Sequence, residues 1–251
     1  MKKLLYLVLG LPDSGRRKIL MDLAAESTCS ILLPKNEVTH PLDDELSKLA
    51  PTLKWQWINE KLEVEPVLPE NTETIFMIAD SSQDPADQIE LTKDALPLND
   101  LTLARIFTVV HCGLAESHPE IVSWYQGCIH FSDVVLLNRR DQVSQKWIKE
   151  FLDGFRQEHF PCFFEFVKKG RVDNPHHVLD PTPRRLSLFF DEEDNLFADT
   201  EEEDDDEADF DESKEDPYLA RYPSGHRCKA LPEIGSILSE ITKHSSRLKS
   251  I

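Results

Sequence analysis

The run Leu4-Leu5-Tyr6-Leu7-Val8-Leu9-Gly10-Leu11-Pro12-Asp13-Ser14-Gly15-Arg16-Arg17-Lys18-Ile19-Leu20 constrains this chain more than any other stretch. A continuous apolar strand breaks into a short glycine loop and resumes as a helix. That order is the one a phosphate-binding loop requires: Gly, four residues, Gly, Lys, then Ser or Thr. The glycines let successive backbone N–H groups curl round phosphate oxygens, the lysine neutralises the terminal phosphates, and the hydroxyl ligates magnesium. Gly10 and Gly15 keep the spacing, but Arg16 stands at the lysine position and Arg17 at the hydroxyl position. Arg16 can still bring charge to a phosphate through its planar fork. Arg17 has no lone pair for a cation, so a metal would need another ligand. Shifting the register to Lys18 does not help, because one helical step turns a side chain by about 100°. The candidate phosphate site is therefore Gly10, Asp13, Ser14, Gly15, Arg16 and Arg17.

Charge divides the chain. The net is −19 over 251 residues. Residues 191–216 hold 17 acids and one lysine, while residues 217–251 are net +4 and the first 190 residues carry only −7. So polar and like-charged a run as 191–216 cannot bury enough apolar surface to offset its ordering entropy, and reads as a disordered acidic linker. The overall acidity argues against nonspecific nucleic-acid binding and against an anionic membrane surface. No apolar run reaches transmembrane length, and Leu4–Leu11 lacks a cleavage site, so a cytoplasmic protein is expected. Five scattered cysteines (Cys29, Cys112, Cys128, Cys162, Cys228) read as reduced, mostly packed thiols.

Patterning gives an alternation of strands and helices. Strands are expected at Lys3–Leu9, Ser30–Leu33, Thr74–Ala79, Arg105–Val110, Asp133–Leu137 and Cys162–Val167, and helices near Pro85–Leu96, Pro119–His130 and Ser144–Glu158. Leu53–Val64 alternates around Asn59-Glu60 as an edge hairpin. Continuous apolar strands between amphipathic helices imply an α/β fold: a three-layer, mostly parallel sheet with helices on both faces and ligands at the strands' carboxyl ends. The expected divisions are 1–172 for this domain, 173–190 for a connecting segment, 191–216 for the linker, and 217–251 for a basic, apolar tail. In that tail Ile234, Ile237, Leu238, Ile241 and Leu248 share one face of a short helix, suited either to docking on a protein partner or to packing on its own domain.

Asn138-Arg139-Arg140-Asp141 follows the fifth of these strands, about 125 residues after the glycine loop. In an Asn-Lys-x-Asp motif the Asp accepts from guanine N1 and N2 while the basic stem covers the base, and Arg139 can stack in that way. The alternative is a strand end where Asn138 caps a turn and Asp141 or Ser144 caps the next helix. Asp80, after a buried strand, is the candidate magnesium-bridging carboxylate, with Asp84 before Pro85 as either a second acid or a helix cap. Gln83 is the nearest candidate for positioning an attacking water. Cys128 and His130 with His111 and Cys112 could form a metal cluster or simple packing, and His176-His177 reads as a solvated loop.

With these residues in order, the chain resembles the CobW-like P-loop GTPases, the metallochaperone group related to HypB and UreG, from residue 1 to about residue 172. Thr108-Val109-Val110-His111 is similar to that group's Thr-Val-Val-Asp strand. Phe131 through Asp141 resembles its Ala-Asp-x-x-x-x-Asn-Lys-x-Asp stretch, and Ile75–Pro85 resembles its switch strand. The resemblance implies a G domain binding GTP or GDP. The Cys-x-Cys-Cys metal motif, the switch glycine and the C-terminal β-rich domain of the group have no counterpart here. Three functions follow as expectations: guanine-nucleotide binding with weak or no hydrolysis; a pseudo-GTPase platform working through the acidic segment and tail; or metal handling, with the clustered carboxylates as a low-affinity cation sink.

Overall fold

The computed structural model describes residues 2–26, 28–191 and 215–248. The linker expected at 191–216, and with it the cation-sink reading, lies almost wholly outside the described residues. Residues up to Leu186, together with those from Leu231 onward, make one unit; Ser187–Ala230 make a second.

Nine strands form the sheet of the first unit: β1 (Lys3–Gly10), β2 (Cys29–Pro34), β3 (Thr52–Ile58), β4 (Lys61–Glu65), β5 (Thr74–Ile78), β6 (Leu101–His111), β7 (Val134–Asn138), β8 (Phe163–Lys168) and β9 (Arg171–Val172). Their order is β4-β3-β2-β5-β1-β6-β7-β8-β9. All neighbours are parallel except the two edge pairs, β3 with β4 and β8 with β9. The β3–β4 hairpin turns at Asn59 and Glu60, both at positive φ, as a two-residue turn demands. The helices are α1 (Arg16–Leu23), α2 (Asp43–Leu49), α3 (Pro85–Leu98), α4 (Cys112–Ser117), α5 (Pro119–His130), α6 (Gln145–Gln157), α7 (Pro175–Leu179) and α8 (Ile234–Leu248).

Alternation along each strand divides the apolar residues between two faces. Tyr6, Val8, Ile31, Phe76, Val109, Leu136 and Val167 pack with Ile19 and Leu20 of α1, Leu46 of α2 and Val178 of α7. The opposite residues face α3, α5 and α6, where the Phe155 and Phe164 rings stand 5.4 Å apart. The chain therefore winds away from β1 in two directions. From β1 it passes over one face through α1 to β2, and from β5 it returns over the other through α3 to β6. Loops leaving β1 and its neighbours diverge there, which opens a crevice at the carboxyl ends of the strands. This is the three-layer, mostly parallel α/β architecture anticipated from the periodicity.

Two segments differ from their sequence reading. His176-His177 is no solvated loop: it lies in α7, with His177 4.2 Å from the Phe163 ring and 3.3 Å from Glu165. Within residues 173–186, Val178 and Arg185 are buried and the backbone is tied to distant side chains. The buried Arg105 guanidinium donates to the carbonyls of His177 (2.6 Å), Val178 (3.0 Å) and Thr182 (3.1 Å). The buried Asp133 carboxylate accepts from the Ile106 N–H at 2.7 Å and the Arg184 N–H at 2.6 Å. Neither segment carries strong periodicity, because its order comes from side chains far away in sequence.

Leu231 and Ile234 of the tail pack within the first unit. Gly127 of α5 leaves room for Leu231, whose Cδ2 would lie 2.4 Å from a Cβ there, and Ile234 is buried. In the second unit, Arg227 donates to the Tyr218 and Leu219 carbonyls, and Lys229 lies 4.1 Å from the Tyr218 ring centre. Among the described residues no helix is long and apolar enough to cross a membrane.

Replacing Arg105 by Met leaves three carbonyls without their donor. The expected cost is about 2–4 kcal/mol in urea unfolding, with hydrogen exchange accelerating first in residues 175–182.

Candidate functional site

At the crevice, β1 ends in Gly10 at φ +140, where a Cβ would come 2.8 Å from the Val109 carbonyl oxygen and 3.1 Å from Ser14 Oγ. Only glycine passes so close to the neighbouring strand. The loop then places Asp13 at φ +58 and Gly15 at φ +100, and α1 begins. The Ser14 side chain is fully buried, and its hydroxyl has no hydrogen-bond partner among the described residues.

Asn138, at the end of β7, reaches back across the sheet to this loop. Its Nδ2 donates to the Ser14 carbonyl at 2.8 Å, and a Cβ on Gly15 would stand 2.2 Å from that nitrogen. Residues 124 positions apart thus close on each other, and Gly15 is obligatory for the approach as well as for its backbone angle. Of the alternatives open for the Asn138–Asp141 stretch, Ser144 is the residue that caps α6, accepting from the Trp147 N–H at 3.1 Å. Arg139 sits at φ +59, and Arg140 stacks over the Phe166 ring at 4.1 Å.

The two arginines of the loop already have carboxylate partners. Arg16 is 2% exposed; its guanidinium donates to the Ala79 carbonyl at 2.7 Å and to Glu37 Oε1 at 2.6 Å. Arg17 donates through Nε to Asp43 Oδ1 at 2.6 Å and through Nη1 to Glu37 Oε2 at 3.1 Å, while its buried Nη2 finds no partner. Glu37 also accepts from the Ser81 hydroxyl at 2.9 Å. Burial alone would raise the Glu37 carboxyl, but the Arg16 charge and hydrogen bond, the Ser81 hydroxyl and Arg17 together outweigh it and hold the group below its ordinary value. Burial in turn lowers Arg16, against the opposing pull of Glu37.

Between these elements lies a cavity of about 610 Å³. From the sequence-level candidates it gathers Asp13, Gly15, Arg16, Arg17, Asn138, Arg139 and Asp141. Gly10 and Ser14 stand just behind its wall. It adds Lys18, His40, Arg140, Gln145, Lys168, Lys169 and Gly170, none of which the sequence reading selected. Seven basic side chains against two carboxylates line the cavity, in a chain whose net charge is −19. The Lys168-Lys169-Gly170 turn was findable, since loops at strand carboxyl ends are where such folds bind ligands. Glu37 and Asp43 were also findable, because two adjacent arginines at a buried helix start require acids nearby.

Asp80 and Gln83 are not brought into the cavity. Asp80 is buried, its carboxylate accepting from the Ser82 N–H (2.9 Å), the Ser82 hydroxyl (2.6 Å) and Asn36 (3.2 Å), and its backbone is clamped by Gln88. Gln83 donates back to Asp80 at 3.5 Å. Asp84 accepts from the Ala86 N–H at 2.7 Å as the cap of α3. His111 caps α4 by accepting from Leu114 N–H, and burial pushes the Cys112 thiol up to about 12. Among the described residues, no group of three or more His, Cys, Asp or Glu could hold a metal ion. The residues at the glycine loop do not fit magnesium: position 17, which should offer an oxygen, offers a guanidinium turned toward Asp43 and Glu37.

No protein-family model and no curated protein matches the chain. Among solved structures, the Zn(II)-bound YjiA GTPase from E. coli is similar at a TM-score of 0.43, with 10% identity over 73% of this chain and 67% of that one.

Removing Glu37 leaves the buried Arg16 guanidinium without its carboxylate and Arg17 with Asp43 alone. Glu37→Ala is expected to cost about 3–5 kcal/mol. The lowered folded-state value means that the Glu37 contribution is complete above the ordinary Glu value of about 4.3 and is lost as pH falls through the folded value. In urea titrations repeated from neutral to acid pH, Glu37→Gln should flatten that acid-side loss.

Proposed function

We propose that this chain is a degenerate CobW-like P-loop protein that binds a guanine nucleotide, GTP or GDP, without fast hydrolysis. The observation that carries the reading is the Asn138–Ser14 hydrogen bond, which joins the guanine-type motif to the glycine loop across one basic cavity. The cavity volume lies within the roughly 300–1,000 Å³ usual for small-ligand sites. Phosphate oxygens would accept from the backbone N–H groups between Gly10 and Arg16. The base would lie against Arg139, with Asp141 as the acceptor for its N1 and N2 groups.

Slow turnover follows from the same geometry. Arg16 and Arg17 spend their charge on Glu37 and Asp43 rather than on a developing phosphate charge. Neither Asp80 nor Gln83 lines the cavity. Binding should then be indifferent to magnesium. A second reading, an interaction platform that keeps the fold without a ligand, is favoured by the fact that both loop arginines are neutralised within the protein. In that reading the half-buried Ile237, Leu238 and Ile241 of α8 are the surface offered to a partner.

Fluorescent GDP, titrated with and without magnesium, tests the first reading. Saturable binding is expected, with dissociation constants within about twofold of each other. Gly15→Ala and Asn138→Ala should each weaken binding about tenfold, or 1.4 kcal/mol, and the double variant little more, because both break one contact. No binding at millimolar nucleotide rejects the reading.

A further inference from the structure

The cavity carries its free charge at the wrong end for a ligand whose only anionic part is a 5′ polyphosphate. Beside the glycine loop, Arg16 and Arg17 are taken up by Glu37 and Asp43. Lys18, Arg139, Arg140, Lys168 and Lys169 also line the cavity, and among the described residues none of these five is ion-paired. Asp141 is the single carboxylate on that side of the cavity.

These five cations are gathered by the fold rather than scattered. Arg139 and Arg140 follow β7, and Lys168 ends the adjoining β8. Lys169, at φ +54, and Gly170, at φ +83, turn the chain into β9. The Lys18 stem crosses Gly170 so closely that a Cβ there would lie 2.4 Å from Lys18 Cγ. The turn is pinned to α1 a second time, where Asp22 accepts from the Val172 N–H at 3.0 Å. Arg140 has its Cζ 4.1 Å from the Phe166 ring centre, and a guanidinium over an aromatic ring can still offer N–H donors to an anion. So many like charges held at one strand end repel one another, and a bound anion relieves that repulsion. A guanine ring alone supplies none.

We infer that the ligand carries a second phosphate on its nucleoside side, as a guanosine phosphorylated at both the ribose 3′ and 5′ positions does. The inference rests on the guanine-nucleotide reading above. A phosphate monoester brings about −1.5 to −2 charges and three acceptor oxygens, which suits a ring of lysine and arginine donors.

Guanosine 3′,5′-bisphosphate and GDP carry the same number of phosphates and differ in where the second one sits, so total charge is held nearly constant. Competition of each against fluorescent GDP, at about 0.1 M salt to limit long-range screening differences, reads their relative affinity. The bisphosphate is expected to bind about tenfold tighter than GDP. In the Lys168→Gln/Lys169→Gln variant that ratio should fall toward one. Equal affinities in the unaltered protein overturn this inference and leave the guanine reading standing, as does a preference that persists in the double variant. Failure of both nucleotides to compete, with fluorescent GDP itself unbound, overturns the guanine reading and this one with it.

Discussion

Two adjacent arginines at the first turn of a helix, both withdrawn from water, oblige the fold to bring carboxylates to them. A buried guanidinium without a counter-charge is far too costly to keep, and arginine cannot escape by losing its proton. Glu37 and Asp43 meet that demand, and in doing so fix the course of everything between β2 and α2. Glu37 is drawn under Ser81, which ties the same segment to the end of β5. Asp43, in the first turn of α2, receives Arg17, so the helix is set against α1 by an ion pair as well as by Leu46. The two loop arginines thus tie α1 to the segment before α2, to α2 itself and to the turn after β5.

The same ion pairs redistribute the site's chemistry. In a working phosphate loop, charge is concentrated where the terminal phosphates lie. In this chain the arginines beside the glycine loop are already paired with carboxylates, and what the loop leaves open is its main-chain N–H groups. Unspent positive charge has moved to the ends of β7 and β8. The overall acidity of the chain makes that local reversal more telling, because a cavity of this sign is not a by-product of composition. A ligand held by oriented amides at one end and by cations at the other would be bound rather than activated, since nothing in the arrangement strengthens as a phosphate leaves.

Much of the architecture was legible in the sequence because buried parallel strands declare themselves as uninterrupted apolar runs. β1, β5, β6, β7 and β8 all stand within a few residues of where their patterns put them, and Asn59-Glu60 announced the edge hairpin. Besides the short α4, the elements that escaped notice are ones whose order is imposed from elsewhere: α2 by the loop arginines, α7 by the Arg105 fork, β9 by Asp22. The glycine loop and the Asn138–Asp141 stretch could both be placed at strand ends, and so could their approach to each other, given a parallel sheet. That Asn138 would use its amide nitrogen on the loop itself, and that Lys168 and Lys169 would line the same cavity, depends on loops brought together from more than a hundred residues apart in sequence.

Gly15 shows why such a contact leaves so faint a trace. Its identity is doubly determined, by a backbone angle at φ +100 and by an amide that would stand 2.2 Å from any added carbon, yet in the sequence it is only the second glycine of a short loop. Gly170 repeats the pattern at the other side of the cavity, at φ +83 and pressed against the Lys18 stem. Gly15 admits the Asn138 amide and Gly170 admits the Lys18 stem, so both close approaches at the rim of the cavity depend on a side chain that is missing.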